Sequence, residues 1–288
     1  MTDLADPTFK AVAFEIRLLN ARLERAEQHF KTFGLVWAQY LDNDPHTLDR
    51  TAEDDGTVIV RLRRTLPLPV ELSVAFGELL YELRAALDNC LYAVAVLVSG
   101  QNPPPNAARL EWPIRLTPGE WKNQAARYQY LPSEIAEALE AIQPYQAQLP
   151  DWNCLAILHE LARVDRHRSM HGLGLYLSEF RLLANREQVE VLDTGAPGIV
   201  DDGAEIARMR LVGGVELSPE NFDLDLTFDV DVTDVRESLG PSGKAGRPWG
   251  PLDTRLRALI KATREYTEGI LEIAGDYATR RAGSAQRS

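Results

Sequence analysis

The stretch Glu71–Ser99 constrains this chain more than any other. Leu72, Phe76, Leu79, Leu80, Leu83, Leu87, Cys90, Leu91, Val94 and Leu97 recur at helical spacing and cover well over half of a helix's circumference. A helix this apolar must be enclosed on several sides, so the spacing predicts a central helix with others packed around it. Leu66-Pro67-Leu68-Pro69 feeds it, and Gly100 to Asn106, with three consecutive prolines, ends it. Arg84 and Asp88 lie four apart in its middle and share a face. Ionised groups in so apolar a helix need partners, and a structural ion pair is the simplest reading.

Two further long helices follow from seams in four-three steps. Asp6-Pro7 is a helix start, an acceptor followed by proline at the first helical position. Val12, Ile16, Leu19, Leu23, Ala26, Phe30, Phe33, Trp37 and Tyr40 then mark one face over residues 8–41, while Arg17, Arg22, Glu24, Arg25, Glu27 and Gln28 occupy the other. Leu252, Leu256, Leu259, Thr263, Tyr266, Ile270, Ile273 and Tyr277 do the same over 251–280. A fourth main helix is read at 151–168. Thr117-Pro118-Gly119-Glu120 is a capping box opening a short helix, and another runs from about Pro132 to Ile142.

Elsewhere the period is two. Val58, Val60 and Leu62 alternate within the strand Thr57–Thr65, and residues 43–56 before it are polar and read as loop and turn. Segments 174–178, 188–192, 206–212 and 222–232 also alternate. In the last, Phe222–Val232, apolar and acidic residues alternate strictly, predicting one buried face and one solvated acidic face. Asp193-Thr194-Gly195, Asp201-Asp202-Gly203 and Gly213-Gly214 separate the strands. The fold expected is α+β and helix-dominated: a four-helix bundle (8–41, 71–99, 151–168, 251–280) with an antiparallel β-meander inserted over 172–236. All of it is read as a single domain over 1–281, with a Gly/Pro/Ser-rich linker at 240–250 and a mobile tail at 282–288.

Forty-five per cent of the 288 residues are hydrophobic and the formal net charge is −12, so binding of nucleic acid over the whole surface is not expected, although a local basic patch remains compatible with it. No DNA-specific signal is present. Cys90 and Cys154 sit in apolar helical stretches without a CxxC pattern, as buried reduced thiols do. The start Met-Thr-Asp-Leu-Ala-Asp-Pro lacks the pattern of a signal peptide, and the longest apolar run, Leu91 to Val98, is short of the ~20 residues a membrane span takes. A soluble, cytoplasmic protein without a membrane partner is expected.

The chemistry-bearing residues concentrate in 151–171. Trp152, Leu155, Leu158, Leu161 and Ala162 form the apolar stripe of a helix, and Asp165 falls on its next position. That carboxylate is expected to face inward and pair with a cation, Arg84 being one candidate. His159, Arg163 and Arg166 share another face. His167 and Arg168 close the last turn, where the helix dipole favours cations, and His171 lies just beyond. Arginine can hold phosphate oxygens in a bidentate fork, and histidine can take or give a proton near neutrality, so these residue types suit chemistry on a phosphate. Basic residues also gather at helix C-termini for the dipole alone. Asp165, His167 and His171 fit no established metal motif and the neighbouring arginines oppose a cation, so neither a metal nor another cofactor is expected.

Two resemblances follow. Leu83-Arg84-Ala85-Ala86-Leu87-Asp88, Gln143-Pro144-Tyr145 and Asp165-Arg166-His167-Arg168 are similar to a broad set of bacterial proteins that share an Leu-Arg-x-Ala-Leu-Asp helix and a helix ending in Asp-[Lys/Arg]-His-Arg. This likeness covers about 71–171 and brings no established activity. Arg166-His167-Arg168-Ser169-Met170-His171 also resembles the signature of the HEPN superfamily of helical-bundle ribonucleases: arginine, a polar residue, a few free positions, histidine. That resemblance implies a metal-independent RNase acting at a dimer interface, with Arg166 steadying the phosphate, His171 moving the proton of the ribose 2′-hydroxyl, and His167 orienting or assisting. Arg163, Arg168 and His159 would help bind the RNA. Arg163-x3-His167 is a competing register.

A HEPN-like ribonuclease of a defence or toxin system is thus one expectation. The other is a non-catalytic helical assembly module, in which the long seams make a homodimer and Arg84, Asp88 and Asp165 form a structural polar network. A small-molecule enzyme with a pocket between bundle and strands is a third, without a nucleotide loop, nucleophile elbow or zinc motif behind it.

Overall fold

A computed structural model describes residues 7–167, 172–185, 187–213, 216, 218, 222–233 and 249–285, apart from the side chains at 164–167, 182 and 285. The fold is α+β and dominated by helices: α1 (Ala13–Leu41), α2 (Val70–Ser99), α3 (Pro118–Gln124), α4 (Ser133–Ala141), α5 (Cys154–His167) and α6 (Leu252–Ala285). Seven strands are present among the described residues: β1 (His46–Ala52), β2 (Thr57–Arg64), β3 (Leu173–Ala184), β4 (Val189–Thr194), β5 (Gly198–Ile199), β6 (Glu205–Leu211) and β7 (Phe222–Val232). The chain divides into two compact units, one of residues 1–31, 75–170 and 253–288, the other of 32–74 and 171–252.

The first unit is helical. Within α2, Leu79, Leu80, Leu83, Ala86, Leu87, Cys90, Leu91, Ala93 and Val94 are all fully buried, as a helix apolar on most of its circumference requires. Each leucine so buried contributes about 1.5–3 kcal/mol relative to an exposed one. Cys90 Sγ donates to the Thr267 carbonyl of α6 at 3.5 Å, and burial pushes its thiol pKa well above the usual range. Cys154, read as buried, is only partly so. The seams of α1 (Val12, Ile16, Leu19, Leu23, Ala26) and α6 (Leu256, Leu259, Thr263, Ile270) are buried in the chain's own core.

Local signals account for most boundaries. A 3-10 turn, Pro7–Val12, leads into α1, and Asp6 lies outside the described residues. The capping box at α3 is formed: Thr117 Oγ1 accepts the Glu120 N–H at 3.2 Å, and Glu120 Oε2 accepts the Leu116 N–H at 2.8 Å. α6 extends to Ala285, beyond the expected end near 280, so the tail expected from 282 begins as helix. The expected linker falls largely outside the described residues, which resume at 249.

The second unit is a pair of antiparallel sheets, ordered β1-β2-β6-β4 and β5-β3-β7, not a meander. β3 bypasses β4 and pairs with β7 through Leu175↔Val230 and Leu177↔Phe228. β4 pairs with β6. The sheets share a core. Val58, Val60, Val189, Ala207 and Met209 gather with Phe222, and Leu62 and Ile206 with Leu175, Leu177, Val200 and Phe228. Leu48, Phe180 and Leu224 pack against both clusters. β1, read as loop, pairs with β2 from His46↔Arg64 to Ala52↔Val58. It is an edge strand with mostly exposed side chains, so no alternation marks it. The acidic face of β7 is only partly solvated. Asp223 and Asp225 are exposed, but Asp231 is buried and its Oδ1 accepts the Val232 N–H at 2.8 Å.

Candidate functional site

α5 carries the residues the sequence singles out. Asn153 Oδ1 accepts the Leu155 N–H at 2.9 Å and starts the helix. Leu155, Leu158, Leu161 and Ala162 are buried, so the apolar stripe faces the core. Arg163 is exposed and forms a two-pronged pair with Glu160 of its own helix, at 2.9 and 3.2 Å. That hydrogen-bonded carboxylate raises the Arg163 pKa further and occupies the guanidinium expected to bind substrate. His159 is half-buried. The α5 backbone runs helically through Arg166 to His167. The side chains of Asp165, Arg166 and His167, and all of Arg168 and His171, lie outside the described residues.

Beside α5 the structure brings together a cluster that sequence reasoning saw only in part. Arg84 Nη2 donates to the Trp112 carbonyl at 2.7 Å, and Asp88 Oδ1 accepts the Trp112 N–H at 2.7 Å. The two side chains are 3.5 Å apart. Trp112 is fully buried, and its peptide groups need partners away from water. Next to them, Arg22 of α1 donates to Asn89 Oδ1 at 2.7 Å and to Glu82 at 2.8 Å. Its guanidinium stands 5.8 Å from the ring centre of Tyr81, which is 59% exposed.

Arg22, Tyr81, Arg84, Asp88 and Asn89 line a cleft of about 310 Å³, with Ala162 of α5 in its wall. A second cleft of about 380 Å³ is lined by Arg25, His29, Gly77, Glu78, Tyr81 and Glu82. In it His29, itself buried, holds Nδ1 3.0 Å from the Glu78 carboxylate. Tyr81 borders both clefts.

The signal that would have located this region was available. Glu78, Tyr81, Glu82, Ala85, Asp88 and Asn89 form one stripe along the otherwise apolar α2, in steps of three and one. What periodicity withholds is the partner. Neither Arg22 nor the peptide of Trp112 is adjacent to α2 in sequence. Among the described residues, no three His, Cys, Asp or Glu side chains are grouped so as to hold a metal ion. No helix among them is long and apolar enough to cross a membrane. Comparison with protein-family models, curated proteins and solved structures finds no match.

Proposed function

We propose that this chain is a metal-independent endoribonuclease of the HEPN type, with Arg166, His167 and His171 as its working residues. The observation that supports it is the cleft beside α5. Arg22, Tyr81, Arg84 and Asn89 line it, Ala162 contributes a small side chain to its wall, and the α5 backbone carries Arg166 one helical turn beyond Ala162.

In this reading Arg166 holds the non-bridging oxygens of the scissile phosphate in its planar fork. His171 takes the proton of the ribose 2′-hydroxyl as the O2′–P bond forms. The P–O5′ bond breaks and the leaving 5′-oxygen takes up a proton. The products are a 2′,3′-cyclic phosphate and a 5′-hydroxyl, and no oxidant or cofactor is consumed. His167 orients or assists this transfer.

The test is incubation of purified protein with single-stranded RNA in EDTA, followed by analysis of the termini. Cyclic phosphate ends are expected, with a loss of about 100-fold or more in His171→Ala and in Arg166→Ala. Absence of cleavage, or cleavage by both variants at the parent rate, overturns the assignment.

The Trp112 contacts favour a second reading, a non-catalytic helical module whose polar residues serve the fold. It expects Asp165→Ala to lose ~3 kcal/mol of stability, as breaking a buried pair does, while Arg166→Ala and His171→Ala leave every RNA measurement unchanged.

A further inference from the structure

The two clefts that meet at Tyr81 have chemistry of their own. On α1, Arg22, Arg25 and His29 are spaced three and four apart; on α2, Glu78 to Asn89 covers three turns, about 16 Å at 1.5 Å per residue. Side chains of the two helices line these two clefts, which share Tyr81 and are taken together as one groove with charged residues along it. The Tyr81 ring is 59% exposed there, with the Arg22 guanidinium 5.8 Å from its centre.

The charges along the groove are mostly matched inside the protein. Arg22 meets Glu82 at 2.8 Å, His29 meets Glu78 at 3.0 Å, and Arg84 meets Asp88 at 3.5 Å. Arg25 differs. It is exposed, and the hydrogen bond its guanidinium makes among the described residues is to neutral Gln28, at 3.1 Å. It is thus the groove's cation with a whole charge to give to an incoming anion. Glu78, Glu82 and Asn89 add acceptors for N–H groups at the edge of a planar ring.

We propose that this groove binds single-stranded RNA, with a nucleobase stacked on Tyr81 and a neighbouring phosphate held by Arg25. An exposed aromatic ring, a guanidinium beside it that no carboxylate neutralises among the described residues, and edge acceptors match the three parts of a nucleotide. A duplex is excluded by the same geometry, because its base faces are already stacked on one another. The proposal rests on the ribonuclease reading for its ligand class, and gives that reading a base-binding subsite.

The test uses fluorescently labelled 2′-O-methyl RNA hexamers of each base. They lack the 2′-hydroxyl nucleophile, so they report binding without cleavage. Anisotropy titration of the full chain is expected to show binding that weakens about tenfold or more in Tyr81→Ala, the loss of one base–aromatic stack, and is retained in Tyr81→Phe. Arg25→Ala is expected to weaken binding to all four hexamers alike and to make the salt dependence shallower by about 0.7 in log–log slope, one phosphate contact on a single strand. Both side chains are exposed, so neither change threatens the fold.

Failure of the parent to bind any hexamer, or equal binding by Tyr81→Ala, overturns the groove. Its failure is separable from that of the nuclease. Cleavage of unmodified RNA that depends on Arg166 and His171 while Tyr81→Ala binds and cuts like the parent removes the groove and keeps the nuclease. Tyr81-dependent binding without cleavage of unmodified RNA does the reverse.

Discussion

Arg84 and Asp88 hold the two poles of one residue: Arg84 donates to the Trp112 carbonyl and Asp88 accepts the Trp112 N–H, each at 2.7 Å. One helical turn of α2 thus supplies what a neighbouring strand would. Removing the carboxylate leaves a peptide N–H of a fully buried residue without this acceptor and takes away Arg84's nearby counter-charge. Asp88→Ala is expected to cost about 2–3 kcal/mol, with Asp88→Asn losing less, in urea denaturation. An unchanged midpoint in Asp88→Ala would show that water replaces the contact at no cost.

Two glycines of α6 predict opposite outcomes. A methyl group on Gly275 would come within 2.7 Å of the Phe9 ring, which is 6% exposed and has little room to move. Gly275→Ala is therefore expected to destabilise by about 1–2 kcal/mol despite alanine's better helix propensity. Gly269 has nothing within 4 Å of the added atom. Gly269→Ala is expected to stabilise by about 0.5–1 kcal/mol. Thermal melts of the two variants decide both signs, and a matching sign in the two would refute the packing argument.

His46 is expected to make the second unit sensitive to mild acid. Its Nδ1 is buried without a hydrogen-bond partner among the described residues, and its ring packs edge-on to Phe228 at 4.3 Å. Burial pushes its pKa below the ordinary 6.5, outweighing the opposite pull of Asp44. As pH falls below 6.5 the unfolded chain takes up the proton before the folded one does. Stability from this group is complete above 6.5 and is lost as pH drops toward the depressed folded value. The fall in melting temperature between pH 7.5 and 5.5 is expected to be smaller in His46→Phe than in the parent. Equal falls would assign the pH dependence to other groups.

Arg163 and Arg166 separate a helix-surface charge from a working one. The Arg163 guanidinium is already engaged by Glu160, and exposed pairs of this kind contribute roughly 0–1 kcal/mol. Arg163→Ala is expected to change RNA cleavage by less than about threefold, against the much larger loss proposed for Arg166→Ala. If Arg163→Ala is the more damaging, the working register is Arg163–His167 instead.

Much of the fold was legible in the sequence because burial repeats with the geometry of the backbone. The seams of α1 and α6, the enclosed α2, the capping box at Thr117 and the alternation of β7 all follow from which side chains must leave water. Periodicity assigns a residue to a face and says nothing about what that face meets. Hence the partnership of β3 with β7, the strand character of the polar edge β1 and the burial of Asp231 emerged only in three dimensions.

The candidate site divides along the same line. The local run Arg166 to His171 is a property of the sequence, set by residue types a few positions apart. The groove at Tyr81, the grip of Arg84 and Asp88 on Trp112 and the pairing of Arg22 with Glu82 and Asn89 join segments tens of residues apart. Only tertiary packing decides them, because a hydrogen bond depends on distance and angle in space, and a one-dimensional pattern specifies neither for residues that far apart.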